Sequence, residues 1–406
     1  MIHSFSCKNF YSFGDLTTVN FVVNDKAPNN NGYFIADSGV RLSKIESVIG
    51  PNASGKTNLL KVLPFLKWLI SDSFNIKPNA NLPVKPFVFT ENKNNPIELS
   101  ADFEIKGDIF TYSFILDENK ILMEELKVKN KTNYKMTTKK LFSRQWNKES
   151  QNYILEDNNF DLPKEFENSI RTNASIISVA VRFNHEKSRL IFDYWQKIET
   201  NVAEAGWIGD HLVANPLRQL FGALDFYSDK QNEAIKQEAE KLLSRFDLGL
   251  ESFNVNKEKN ENANEITLTA NTVHDINGQK YNFDLKYESS GTKQLFVLLK
   301  SILSALASGS MAVLDEFDVN LHPEMVSTLF ELFLQPDTNP KSAQLLFSTH
   351  SLQVLSKLDK YQVIFTEKNE KSKSESWRLD EVSGVRADDN YYTKYIAGAY
   401  GAVPRL

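Results

Sequence analysis

Residues 50–57, Gly50-Pro51-Asn52-Ala53-Ser54-Gly55-Lys56-Thr57, follow the pattern G-x-x-x-x-G-K-[ST]. Glycines in this spacing let successive backbone N–H groups turn inward around phosphate oxygens. The lysine then reaches the terminal phosphates, and the hydroxyl after it binds Mg²⁺. Such a loop needs a strand before it and a helix after it. Lys44–Ile49 reads as a strand running directly into the first glycine, and TNLLKVLPFLKWLI after Lys56 has helical apolar spacing, with Pro64 expected to kink it. Binding of a nucleoside triphosphate, ATP with Mg²⁺, is therefore expected on residues 50–57 and Asn58.

Working outward, the run MAVLDEFD supplies the second half of such a site. Met311–Leu314 read as a buried strand that delivers Asp315 and Glu316 at its carboxyl end, where ligands bind in sheets of this kind. Asp315 is expected to hold Mg²⁺ through water, and Glu316 to polarise the attacking water as general base. LLFSTHS places His350 just past another apolar strand, in reach of a γ-phosphate. YESSGTKQL leads into an apolar helix from about Lys293, and its small residues expose N–H groups suited to an anion.

Around these motifs the chain alternates. IHSFSCKNFYSF reads as a strand, and from about Pro96 to Arg144 short period-two runs predict an antiparallel β lobe. HEKSRLIFDYWQKIETNVAEA and QNEAIKQEAEKLLSRF predict amphipathic helices in an insertion. SFNVNKE, EITLTANTVHDI and QKYNFDLKYE return to strand. Then come the helix KQLFVLLKSILSALAS, the strand MAVLD, a helix over Glu324–Leu334, the strand QLLFST, the helix SLQVLSKL and the strand YQVIFTE. That alternation predicts a mainly parallel sheet with crossover helices. Asn256–Asn264 and Lys368–Ser376 read as mobile loops.

The 406 residues are 41% hydrophobic and 24% charged, ordinary globular composition, and the net charge of −5 gives no global basic field for nucleic acid. The single cysteine, Cys7, the absence of a signal-like start and of a clean apolar span predict a soluble, cytoplasmic protein. Lys127–Lys148 holds eight basic and no acidic residues, with Tyr134, Phe142 and Trp146 interleaved. That stretch is a candidate nucleic-acid contact, or a solvated hairpin.

In order, GPNASGKT, ESSGTKQ, VLDE and STHS resemble the phosphate loop, signature, Walker B strand and switch histidine of ABC-type ATPases, in the RecF, SMC and OLD branch. ESSGTKQL, DEFDVNLHPE, FSTHS and the tail YYTKYIAGAYGAVP are most similar to RloA- and AbiL-type ATPases of phage-defence, abortive-infection operons. The resemblance implies an α/β fold, an ABC-type ATPase head with a mainly parallel P-loop sheet, an antiparallel β lobe and a helical insertion. The parts would be residues 1–149 and 251–406 as the two halves of the head, and 150–250 as the insertion.

It further implies a homodimer or higher oligomer in which Ser289, Ser290 and Gly291 of one copy cap the γ-phosphate bound to the other. Asn320 and His322 would lie nearest the partner head. Adenine would fall near Asn9–Phe13, where Phe10, Tyr11 and Phe13 are available to stack. One departure is that no glutamine occurs between Lys56 and Arg144, so the family's glutamine loop has no match there and hydrolysis is expected to be slow.

The insertion lacks the sustained heptads of a long coiled coil. After His350 there remain 56 residues, too few for the Toprim nuclease domain of OLD proteins, which needs on the order of a hundred. Glu367, Asp388 and Asp389 are accordingly read as surface carboxylates, and any nuclease or toxin effector as a partner in trans. The leading expectation is an ATP-driven dimeric sensor or scaffold in antiphage defence. The alternative is a RecF-like DNA clamp in repair, and a third class is a nucleotide-binding scaffold without turnover.

Overall fold

A computed structural model describes residues 1–89, 95–132, 135–202, 216–246, 249–260 and 265–403. The chain opens with β1 (Ile2–Lys8), β2 (Thr17–Asn20), β3 (Tyr33–Ile35), β4 (Arg41–Ser43) and β5 (Ile45–Ile49), followed by α1 (Lys56–Leu60) and α2 (Val62–Ser71). Next come β6 (Ile97–Ile105), β7 (Asp108–Leu116), β8 (Ile121–Thr132), β9 (Lys135–Asn147) and β10 (Asn152–Asp157). Helices α3 (Ile176–Ala180) and α4 (Glu186–Gln196) lead to the short β11 (Glu199–Thr200), then α5 (Pro216–Ser228) and α6 (Glu233–Phe246). The remainder is β12 (Leu250–Asn260), β13 (Glu265–Ile276), β14 (Gln279–Asp284), α7 (Ser290–Ser308), β15 (Met311–Leu314), α8 (Pro323–Leu334), β16 (Gln344–Ser348), β17 (Val363–Lys368), β18 (Ser374–Arg378) and α9 (Tyr391–Ile396).

Two large sheets organise these elements. One has the order β10-β9-β8-β7-β6-β1-β2 and is antiparallel throughout; the other has the order β11-β15-β16-β5-β17-β18. In the second sheet every pairing is parallel except that of the edge strand β18 with β17. The fold is thus α/β with a mainly parallel sheet carrying the loop at 50–57 and a separate antiparallel lobe, the architecture expected of an ABC-type head.

The parallel sheet is buried on both faces, and strand alternation sorts its side chains between two cores. Val48, Val313, Leu346 and Ile364 face a core shared with the β lobe and α2 to α4. Ile49, Leu314, Phe347 and Phe365 face the other, filled by α5 to α9. Phe330 of α8 lies against Phe317 and Phe347 with ring centroids 5.4 and 4.9 Å away. Each such ring or branched chain contributes about 1.5–3 kcal/mol on burial.

Local chemistry accounts for several boundaries. The helix after the loop divides at Lys61, where α1 gives way to α2. Pro64, three residues on, has no N–H for the carbonyl of Leu60, and its ring crowds that carbonyl. SLQVLSKL forms one 3₁₀ turn, Leu352–Ser356, in place of the expected α-helix. Of the two expected loops, the first is strand β12 as far as Asn260, with residues 261–264 outside the described ones. The second is the β17–β18 hairpin, in which Lys368 pairs with Ser374.

Buried polar groups tie the lobes together. Gln344 accepts from the N–H of Ile2 (2.7 Å) and donates to its carbonyl (2.9 Å), joining the two sheets. Within the β lobe Arg144 and Glu124 form a fully buried ion pair at 2.7 Å. Arg144 also donates to the carbonyls of Arg171 and Ala174, while Glu124 accepts from the Tyr112 hydroxyl and the N–H of Ile176. The strands are thereby fixed to the start of α3. Arg144→Met leaves that carboxylate uncompensated and is expected to cost about 3–5 kcal/mol of stability, read from urea unfolding.

Glu46 interrupts the apolar β5. It is fully buried, and burial raises its pKa well above the ordinary value against the opposing pull of Arg378. A carboxyl with a raised folded-state pKa supports folding most at low pH, and that support is lost as pH rises beyond its unfolded pKa of about 4.3. The contribution of Glu46 to stability should therefore decline with rising pH from there. Glu46→Gln should flatten the decline in pH-dependent unfolding curves, and an unchanged slope would refute the assignment.

Candidate nucleotide site

The loop at 50–57 leaves β5 at one edge of the parallel sheet and is backed by the β17–β18 hairpin. A Cβ at Gly50 would lie 2.2 Å from the carbonyl oxygen of Thr366, and one at Gly55 would lie 2.3 Å from Ser374 Oγ. Gly55 also has φ +115°, a left-handed conformation that suits glycine, and Ala53 lies at φ +62°. Ser54 Oγ shares a hydrogen bond with Thr366 Oγ1 (2.8 Å), and Ser374 Oγ donates to the Ser54 carbonyl (2.6 Å). Asn52 and Ala53 at the tip are exposed, whereas Pro51 and Thr57 are half-buried.

Lys56 Nζ reaches back across the loop to the carbonyls of Gly50 (2.8 Å) and Pro51 (3.1 Å). Burial lowers its pKa, opposed by the negative charges of Asp315, Glu316 and Asp318. Strand β16 pairs with both β5 and β15 in parallel, so the loop after β5 and the acidic pair after β15 emerge at the same edge of the sheet. Asn58 donates from Nδ2 to Ser12 Oγ (2.9 Å), and Ser12 meets Ser374 (2.8 Å). Its amide nitrogen is engaged in holding the loop to the first hairpin.

Asp315 and Glu316 follow β15 at the same edge. Ser348, the last residue of β16, donates from Oγ to Asp315 Oδ1 and accepts from the N–H of Glu316 (2.8 Å). Asn201, just past β11, accepts from the N–H of Asp315 (2.7 Å) and donates to its carbonyl (3.0 Å). Glu316 has φ +48°, a conformation costing a non-glycine residue about 1–3 kcal/mol, which neighbouring bonds must offset. His350 is exposed two residues beyond Ser348. Its predecessor Thr349 is tied to the loop strand through the Val48 carbonyl at 3.3 Å.

A second group forms at the start of α7. Ser289 caps that helix, accepting from the N–H of Thr292 at 3.0 Å. A Cβ on Gly291 would lie 2.8 Å from the Asn320 carbonyl, and His322 caps α8 through Nδ1 and the N–H of Glu324 (3.3 Å). Ser289, Gly291, Asn320 and His322 line one shallow cavity with Leu243, Phe246 and Met325. Ser289, Ser290, Asn320 and His322 are exposed, so this group faces outward.

Several expected contacts read differently in three dimensions. Phe10 and Phe13 are fully buried and belong to the core, so they do not offer faces for a purine. Tyr11 carries the Lys61 ammonium 4.6 Å from its ring centroid. In the basic stretch, Lys127 pairs with Glu125, Lys140 with Glu156 and Arg144 with Glu124, and Lys120 lies over Trp146. Tyr134 lies outside the described residues, as does Pro404 of the tail. Glu367 accepts from the N–H of Ala402 (2.8 Å) and Asp389 pairs with Lys394, so both carboxylates have structural partners.

Residues 47–356, spanning β5 through the turn after His350, match the family described as "AAA domain, putative AbiEii toxin, Type IV TA system". The chain belongs to this AAA family. The matched segment includes the loop, Ser289–Gly291, the Asp315–Glu316 pair and His350. Among solved structures, the SMC head domain from Thermotoga maritima is similar over 93% of this chain and 98% of its own, at 14% identity and a TM-score of 0.43. No curated protein matches the chain. Among the described residues of this AAA-family chain, no helix is long and apolar enough to cross a membrane.

Ser348, Asn201, Thr366, Ser374 and Ser12 were not among the residues singled out by motif. Ser348 lies within the quoted FSTHS, so its strand-end position was a usable signal. Asn201 follows a strand of two residues, too short for periodicity to mark. Gly55→Ala is expected to destabilise the fold by about 1–3 kcal/mol from the backbone term alone. It should also displace Ser374 and weaken nucleotide binding, measured by thermal melting and by titration with a fluorescent ATP analogue.

Proposed function

We propose that the protein is a Mg²⁺-dependent ATPase whose site is the loop 50–57 together with Asp315 and Glu316. The observation that supports this most is the register that brings the loop after β5 and Asp315 and Glu316 after β15 out on either side of β16, at the carboxyl edge of the parallel sheet. Thr57 and Asp315 offer the hydroxyl and carboxylate oxygens that a Mg²⁺ ion prefers, and the glycines at 50 and 55 let the loop pack tightly on the β17–β18 hairpin behind it. The bound ion would neutralise charge on the β and γ oxygens of the nucleotide. Lys56 turns from the loop carbonyls to the γ-phosphate. Glu316 accepts a proton from the attacking water as the bond between the γ-phosphorus and the bridging oxygen breaks, giving ADP and phosphate. His350 donates to a γ-phosphate oxygen and holds it in line.

The exposed cluster of Ser289, Ser290, Gly291, Asn320 and His322 supports an ATP-sandwiched homodimer, in which these residues cap nucleotide bound to the other copy. The family description and the resemblance to RloA- and AbiL-type ATPases of the OLD branch support placing that dimer in a defence or toxin–antitoxin system. There it would act as a sensor or scaffold for an effector in trans. The ion pairs that occupy Lys127, Lys140 and Arg144 leave the DNA-clamp alternative with less support.

Lys56→Ala should abolish nucleotide binding in equilibrium titration. Glu316→Gln should keep ATP bound while lowering kcat on the order of 10²–10⁴-fold, the usual contribution of a general base. The closed dimer should then accumulate in sedimentation velocity. Phosphate release unchanged in Glu316→Gln would remove the catalytic assignment, and a monomer at saturating ATP would remove the sandwich.

A further inference from the structure

Strand β11 is two residues long, yet it ends at the most constrained point of the site. Its parallel pairing matches Glu199 with Ala312 and Thr200 with Val313. At Asn201 the backbone ladder stops and the side chain takes over. Oδ1 accepts from the N–H of Asp315 and Nδ2 donates to its carbonyl, at 2.7 and 3.0 Å. A carboxamide presents an acceptor and a donor side by side, as the edge of a peptide does, so it satisfies both main-chain groups of one residue. Aspartate has no donor for the carbonyl.

From the opposite strand, Ser348 Oγ holds the Asp315 carboxylate and the Glu316 N–H. The peptide linking Asp315 to Glu316 is thus gripped from both neighbouring strands, and the residue after it has φ +48°. Left-handed backbone at a side-chain-bearing residue persists where its surroundings over-determine it. The grip also extends outward. The Asn201 carbonyl accepts from Gln219 Nε2 of α5 at 3.2 Å, and Tyr227 of α5 packs on Phe296 of α7 with centroids 4.9 Å apart. Helix α7 begins at the cap Ser289.

We infer that Asn201 is a positioning residue that aims Asp315 and Glu316 and links them, through Gln219, to α5 and the helix that begins at Ser289. The inference rests on the proposed Mg²⁺-ATP site. With both polar atoms of its side chain on the Asp315 backbone, Asn201 does not touch nucleotide; it acts through the carboxylates. Losing it should therefore change metal requirement and turnover and leave nucleotide affinity alone.

The test uses the full chain and the variants Asn201→Ala, Asn201→Asp and Gln219→Ala. In nucleotide-free protein, amide hydrogen exchange should rise across residues 312–318 in Asn201→Ala, with protection elsewhere retained. In phosphate-release assays its kcat should fall on the order of 10²-fold, as expected of a misplaced catalytic group. The Mg²⁺ concentration for half-maximal rate should increase while KM for ATP stays within about twofold, the pattern of a lost transition-state effect. Asn201→Asp and Gln219→Ala should shift in the same direction by less, and they decide the matter if Asn201→Ala does not fold.

Unchanged exchange, kcat and Mg²⁺ requirement would overturn the inference, as would a parallel rise in KM with general loss of protection. If the wild type itself releases no phosphate, the ATPase reading fails, and hydrogen exchange still decides whether Asn201 holds the Asp315–Glu316 peptide.

Discussion

The constraint on which the structure depends is that a parallel sheet must be covered on both faces. Every crossover then returns over a face, and all the parallel strands end at the same edge. Register does the rest: Leu314 stands beside Phe347, and Ser348 beside Val48, so the loop after β5, the acidic pair after β15 and Thr349–His350 after β16 emerge together. Segments far apart in the chain become neighbours through strand register, and the bonds from Asn201 and Ser348 then fix the acidic pair. The two cores on either face hold that edge in place from both sides.

The parts of this arrangement that were legible in the sequence are those written in local pattern. The apolar runs at 311–314 and 344–348 marked buried strands, the stretch 45–49 was marked by running into the loop, and glycine spacing marked the loop itself. Pairing between strands was not legible. Nothing in SFNVNKE or QKYNFDLKYE distinguishes the separate three-stranded sheet of β12, β13 and β14 from an extension of the β lobe. The aromatics Phe10 and Phe13 were ambiguous for the same reason, since alternation gives a period and leaves open which face is the core. The hairpin at 368–376 looked like a loop because its residues are polar. Its Ser374 is buried against Ser54 and Ser12, and a hydroxyl in such a place serves main-chain partners that no periodicity announces.

Side-chain amides recur where strands run out. Gln344 pairs with the backbone of Ile2 across two sheets, Asn339 with the carbonyls of Phe333 and Ala343 and the N–H of Ala343, and Asn201 with Asp315. Each supplies the donor and acceptor that a neighbouring strand would have supplied, so backbone groups at the ends of short strands stay satisfied in a dry interior. This permits β11 and β15 to be as short as they are.

The two glycines of the loop answer to two masters. Gly50 lies against the Thr366 carbonyl and Gly55 against Ser374, contacts internal to the protein that exist whatever the loop binds. A descendant that had given up nucleotide would still be selected to keep both glycines, because the hairpin behind them leaves no room for a side chain. Lys56 is tied to the loop carbonyls of Gly50 and Pro51, so it too has an internal role, whereas the half-buried Thr57 has no such second reason to persist. In comparing relatives of this chain, the threonine would therefore record the history of nucleotide use, while the glycines would record the history of the hairpin.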